Sequence, residues 1–89
     1  MEPPYHVILF DDDEHTYAYV IEMICEIFGH SLEKAFRMAE EVDATGRVIV
    51  ITCHKELAEL RKEQIEEFGA DPRIPKCKGS MSASIEPAA

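Results

Sequence analysis

At 89 residues, 46% hydrophobic and 30% charged, the chain has the size and composition of one small folded domain rather than two domains or a disordered tail. Eighteen acidic against nine basic residues give a net charge of −9, which repels phosphate backbones and favours cationic partners, so no nucleic acid is expected. No apolar run approaches the roughly 18 residues of a membrane span, the start Met1-Glu2-Pro3-Pro4 is unlike a signal peptide, and Cys25, Cys53 and Cys77 form no CxxC pair, so a cytoplasmic protein with reduced thiols and no membrane partner is expected.

Pro3-Pro4 keeps the start extended, and His6 to Phe10 then reads as a strand, with Val7, Ile8, Leu9 and Phe10 bounded by acidic residues. From Thr16 to Phe28 the spacing becomes helical: Val20, Met23 or Ile24, and Ile27 share a face that Tyr17, Ile21 and Phe28 widen. Thr16 fits the N-cap, with His15 or Asp13 as alternative starts, and Gly29 is placed to stop the helix in a left-handed conformation. Ser31 can cap a second helix carrying Leu32, Ala35, Phe36, Ala39 and Val42, which Gly46 breaks after Asp43. Val48-Ile49-Val50-Ile51 is a β-branched run and the strongest strand signal in the chain. Leu57, Leu60, Ile65 and Phe68 mark a third amphipathic helix closed by Gly69. Gly69 to Ser80 reads as a loop, Met81 to Glu86 as a short last strand, and Pro87-Ala88-Ala89 as a frayed end. The order β-α-α-β-α-β predicts an α+β sandwich, a small sheet covered by helices.

Asp11-Asp12-Asp13-Glu14 is the most unusual stretch. Four like charges in a row repel, and two readings account for them equally well: a solvated loop at a strand-to-helix junction, where carboxylates suit the helix N-terminus, or a cation site. The Asp-x-Asp-x-Asp-Gly spacing of a calcium loop is absent. His15 could join a metal, but no second histidine stands at helical spacing from it, and His6, His30 and His54 are scattered, so no metal or other cofactor is expected. Catalysis is poorly supported: the chain lacks a nucleophile elbow, a phosphate-binding loop and a dinucleotide fingerprint, and neighbouring carboxylates do not flank a substrate from two sides. Asp43 is a second candidate, because a carboxylate near the negative end of a helix stands against its local preference. It shares a helix face with Ala39 and adjoins Val42, which sets a charge at the rim of an apolar surface.

These features together resemble the ClpS adaptor family. The family motif Asn-Asp-Asp-x-Thr-Pro-Met-x-x-Val is matched by Asp11-Asp12-Asp13-Glu14-His15-Thr16-Tyr17-Ala18-Tyr19-Val20, and its Val-His-x-x-Gly-Lys by Val42-Asp43-Ala44-Thr45-Gly46-Arg47. The resemblance runs from about Tyr5 to Phe68 and resumes at Met81 to Glu86. It implies a core at 5–86 with short flexible ends at 1–4 and 87–89, and a three-stranded antiparallel sheet packed against three helices. It also implies a monomeric adaptor, not an enzyme. Such adaptors hold the free α-amino group and bulky hydrophobic first side chain of N-degron proteins, and pass these clients to a Clp AAA+ unfoldase of the ClpA or ClpC type. By position, the amino-group ligands become Asp11, Asp12 and Asp43. The side-chain pocket becomes His15, Tyr17, Val20, Ala39, Val42 and Met81, and the unfoldase contact Glu56 and Arg61. The sequence departs from the family at several of these places: Asp11 replaces an amide, Asp43 a histidine, Tyr17 the gatekeeping Met, and Ala39 a larger Met. Only Met1 to Pro4 stand where the family carries a longer extension used in handing clients on. The alternative is a plain protein–protein interaction domain of ribosomal-stalk-like fold, in which Val20, Ala39 and Val42 are simply core.

Overall fold

The computed structural model describes residues 3–12, 14–70 and 79–88. Among these, strand β1 (Tyr5–Phe10) is followed by helices α1 (Tyr17–Phe28) and α2 (Leu32–Thr45), strand β2 (Arg47–Cys53), helix α3 (Lys55–Glu66) and strand β3 (Ala83–Pro87). The strands form one antiparallel sheet in the order β2-β1-β3. The most apolar strand takes the centre: Val7, Ile8 and Leu9 have no exposure at all. That agrees with the rule that a continuous apolar run marks a strand covered on both sides.

The β1–β2 register slips between Val7, which faces Ile51, and Ile8, which faces Ile49. A slip of this kind leaves one residue outside the ladder. The carbonyl of Val50, the residue skipped, accepts a bond from His30 Nε2 at 2.7 Å. The turn between α1 and α2 is thereby tied to β2.

The helices start and stop where local chemistry directs. Thr16 caps α1 by accepting from the N–H of Tyr19 at 3.1 Å, and Ser31 caps α2 by accepting from Lys34 at 3.2 Å. Gly29 and Gly46 close the two helices at φ 69° and 89°. His54 caps α3, a role the sequence pattern did not indicate.

The core joins Val7 and Leu9 to Tyr19, Val20, Met23 and Ile24 of α1, Ala35, Ala39 and Val42 of α2, Val48 and Val50 of β2, and Ala58 and Ile65 of α3. Several expectations need correction. Leu60 is 47% exposed, because the inward face of α3 runs through Ala58 and Ile65, seven residues apart. Leu32 and Phe36 likewise face outward, since Ala35, Ala39 and Val42 suffice to seat α2. Helix α3 ends at Glu66, not Gly69. Strand β3 begins at Ala83, with Met81 buried just ahead of it, and reaches Pro87, which pairs with Tyr5. The N–H of Ala88 donates to the Pro4 carbonyl at 2.9 Å, so backbone pairing extends past both expected core limits.

Candidate functional site

Two backbone arrangements bring the acidic residues together. The N–H of Asp11, just past β1, donates to the Gly46 carbonyl at 2.9 Å, while Phe10 pairs with Arg47. Gly46 can make this corner because its φ of 89° carries no Cβ penalty. The end of β1 therefore lies against the end of α2, and Asp11 and Asp43 border the same space although 32 residues separate them (43 − 11).

That space is a cavity of about 180 Å³ lined by Asp11, Asp12, His15, Tyr17, Val20, Ala39, Val42 and Asp43. All three residues expected at an amino group are present, with five of the six expected around a side chain. The sixth, Met81, is buried but does not line the cavity. Asp13 falls outside the described residues. Glu56 and Arg61 sit on α3, away from this cavity; Glu56 is exposed in the first turn, and Arg61 donates from Nη1 to Gln64 Oε1 at 2.8 Å. Val20, Ala39 and Val42 are buried, as a plain interaction domain would have them, yet the concavity beside the acids is present too. A larger and shallower depression of about 580 Å³ lies elsewhere, between Glu26 and Ile27 of α1 and Gln64, Glu67 and Phe68 at the end of α3. It is the more open of the two and does not include the acidic loop.

The carboxylates are held in different ways. Asp12 Oδ1 accepts from the N–H groups of Glu14 and His15, both at 3.0 Å, an Asx-type turn that folds the acidic loop back on itself. His15 Nδ1 meets Asp12 Oδ2 at 2.7 Å, and its Nε2 donates to the Gly79 carbonyl at 2.7 Å. Burial alone pushes the Asp12 carboxyl up, but the His15 side chain and the two backbone N–H groups outweigh it and hold it below the ordinary 3.8. The His15 side chain is almost fully buried and packs on the ring of Tyr19, with centroids 4.4 Å apart. It therefore clamps the acidic loop to the segment before β3 as well as walling the cavity.

Asp43, in the last turn of α2, accepts from the Tyr17 hydroxyl at 2.9 Å. That bond, with contributions from burial and from the charges of Asp43, Glu40 and Asp11, raises the Tyr17 phenol above its ordinary 10.0. The Tyr17 ring meets Phe36 edge-on, with centroids 6.2 Å apart.

Residues 1–75 match the family described as "ATP-dependent Clp protease adaptor protein ClpS". The chain belongs to the ClpS family. A curated relative, the ATP-dependent Clp protease adapter protein ClpS of Desulforapulum autotrophicum, is 29% identical over 73 residues, spanning 82% of this chain and 70% of the relative. Among solved structures, ClpS2 of Agrobacterium tumefaciens bound to L-phenylalaninamide superposes with a TM-score of 0.83, covering 98% of this chain and 99% of that one. Its sequence identity is 21%, so this likeness speaks to the fold. The three-stranded sheet with three helices is thus a ClpS fold.

Sequence reasoning missed Tyr19, whose buried hydroxyl donates to the Gly69 carbonyl at 2.6 Å and whose ring supports His15. It missed the Gly79 contact as well, because that partner lies 64 residues from His15. The Asp12 turn was legible in principle: an aspartate ahead of N–H groups two and three residues on is the Asx pattern.

Proposed function

We propose that this ClpS protein is an adaptor that binds the free α-amino group and bulky hydrophobic first side chain of N-degron proteins and delivers them to a Clp AAA+ unfoldase for degradation. The observation that carries this reading is the single cavity in which Asp11, Asp12 and Asp43 adjoin Val20, Ala39 and Val42. An α-ammonium brings three donors and one positive charge, and convergent carboxylates satisfy both. Charge-assisted hydrogen bonds contribute about 1.5–3 kcal/mol each, and burial of a Leu or Phe side chain about 1.5–3 kcal/mol more. After the cost of association, affinities near the micromolar range follow. The L-phenylalaninamide in the Agrobacterium relative is a ligand of this class, a free amine beside a bulky apolar side chain.

In this reading Asp43 has more direct access to the ammonium than Asp12, which already accepts from two backbone N–H groups and from His15. Recognition needs no catalysis, cofactor or metal. The adaptor works as a cytoplasmic monomer, and Glu56 and Arg61 of α3 face the unfoldase, leaving the cavity to the client.

Fluorescence anisotropy with labelled peptides tests the reading. A peptide beginning with Phe or Leu binds, and its N-acetylated form does not. Equal binding of the two forms refutes amino-terminus recognition. Glu56→Lys with Arg61→Ala is expected to abolish association with the Clp unfoldase while leaving peptide affinity intact.

A further inference from the structure

We infer that Tyr17 is the positioning residue of the amine site: by donating to Oδ2 of Asp43, its hydroxyl turns the remaining oxygen of that carboxylate toward the bound ammonium. The inference rests on the amino-terminus reading above. It starts from the position of Asp43, which is exposed in the last turn of α2. The carbonyl ends of the helix repel a carboxylate there. An aspartate so placed loses nothing by turning toward water, and ordering it at the moment of binding costs side-chain entropy.

Tyr17 removes that freedom. It is the first residue of α1, and its ring spans from Phe36 to Asp43, two residues seven apart on one face of α2. The edge-on contact with Phe36 fixes the ring while the 2.9 Å bond fixes the carboxylate. A carboxylate has about four acceptor positions on its two oxygens, and the phenol occupies one. The choice of donor matters. A Lys or Arg would fix Asp43 equally well but cancel its charge, leaving less for the ligand. A neutral hydroxyl orders the carboxylate and keeps the site anionic. Tyr17 and Asp43 are two of the positions at which this chain departs from the family motifs, and the hydrogen bond makes them a pair.

Calorimetric titration of L-phenylalaninamide into wild type, Tyr17→Phe, Asp43→Ala and the double variant tests the pair, with N-acetyl-L-phenylalaninamide as the uncharged control. Tyr17→Phe keeps the Phe36 contact and is expected to weaken the free amine about 3- to 10-fold, the worth of one hydrogen bond. In the Asp43→Ala background the same change is expected to have no further effect. Penalties that multiply, or an unchanged affinity in Tyr17→Phe, overturn the inference while leaving amino-terminus recognition standing. Failure of wild type to bind the free amine overturns both. An absorbance titration of the phenols, wild type minus Tyr17→Phe, reads the contact without ligand: the Tyr17 phenol titrates above 10.0 and moves back toward that value in Asp43→Ala. A phenol that does not move overturns the contact itself.

Discussion

Asp43→Asn separates charge from shape at the cavity. The amide keeps the size of the side chain and an oxygen that can accept from the Tyr17 hydroxyl, but it removes the negative charge and replaces the second acceptor oxygen by an NH2 donor. With that oxygen held by Tyr17, the side chain turns an NH2 donor toward an ammonium ligand, so a charge-assisted hydrogen bond of about 1.5–3 kcal/mol is lost. The loss of about 1.5–3 kcal/mol is roughly 12- to 150-fold in affinity. Stability responds differently because two effects oppose. Relief of the unfavourable charge at the end of α2 gains about 0.3–1 kcal/mol, while the exposed bond from Tyr17 weakens by a similar amount. Folding should therefore change little, within about 0.5 kcal/mol, corresponding to a few degrees in Tm for a domain of this size. Anisotropy with a free-amine peptide and a thermal melt on the same sample measure the two quantities. A fall in affinity with a melt within a few degrees of wild type is the expected result. An affinity equal to wild type would remove Asp43 from the amine site and refute the reasoning.

Filling the cavity should act on the side-chain half of recognition: Ala39→Leu places three more carbons where Ala39, 1% exposed, now borders the space. Binding of a Phe-first peptide is expected to fall by at least 10-fold, since its burial contributes about 1.5–3 kcal/mol, with circular dichroism confirming the fold. Gly46→Ala forces a Cβ into a φ of 89°, which should destabilise by about 1 kcal/mol or more and lower the melt by at least about 4 °C. Because Gly46 also accepts from Asp11, its peptide affinity should drop as well, as anisotropy at a temperature where the variant is folded would show. The lowered Asp12 carboxyl sets an acid limit. Its stabilising contribution is complete above the ordinary 3.8 and is lost as pH falls through the lower folded value, so Asp12→Asn should show a shallower loss of stability below pH 3.8 than wild type. Identical acid-unfolding curves would show that the His15 clamp does not depend on the Asp12 charge.

Much of the fold was legible because it rests on local rules. The Val7–Phe10 and Val48–Ile51 runs, the caps Thr16 and Ser31, and the stops Gly29 and Gly46 each carry their instruction in a few neighbouring residues. Misreadings arose where several apolar residues competed for one face. Leu60, Leu32 and Phe36 fit helical spacing but lose the interior to Ala58, Ala35 and Ala39, because small residues let the helices approach the sheet. Which residues share a cavity was legible only through the family motifs, since nothing local relates Asp43 to Asp11; the Asp11–Gly46 backbone bond does that in three dimensions. What the motifs did not convey is how each carboxylate is held. The His15–Gly79 and Tyr17–Asp43 contacts join residues 64 and 26 positions apart, and both involve side chains in which this chain departs from the family pattern.

The way those carboxylates are held also bears on why an acidic run is tolerated here. Asp11, Asp12 and Asp43 border one small cavity in a chain of net charge −9, an arrangement that repulsion alone would open. Asp12 is met by backbone N–H groups and His15, and Asp43 by a phenol, while Asp11 is anchored through its own backbone to Gly46. For Asp12 the fixing contacts come from backbone N–H groups and His15, and for Asp43 from the neutral Tyr17 hydroxyl. The phenol brings Asp43 no positive charge. A ligand that supplies it, together with three hydrogen-bond donors, relieves the mutual repulsion of the carboxylates as it binds. Binding should therefore stabilise the fold with the logarithm of ligand concentration over Kd, and the effect should shrink as salt screens the site. A melt of wild type with saturating L-phenylalaninamide at low and high ionic strength measures both. A stabilisation that high salt leaves undiminished would assign the binding energy to the apolar wall of Val20, Ala39 and Val42 rather than to the acids.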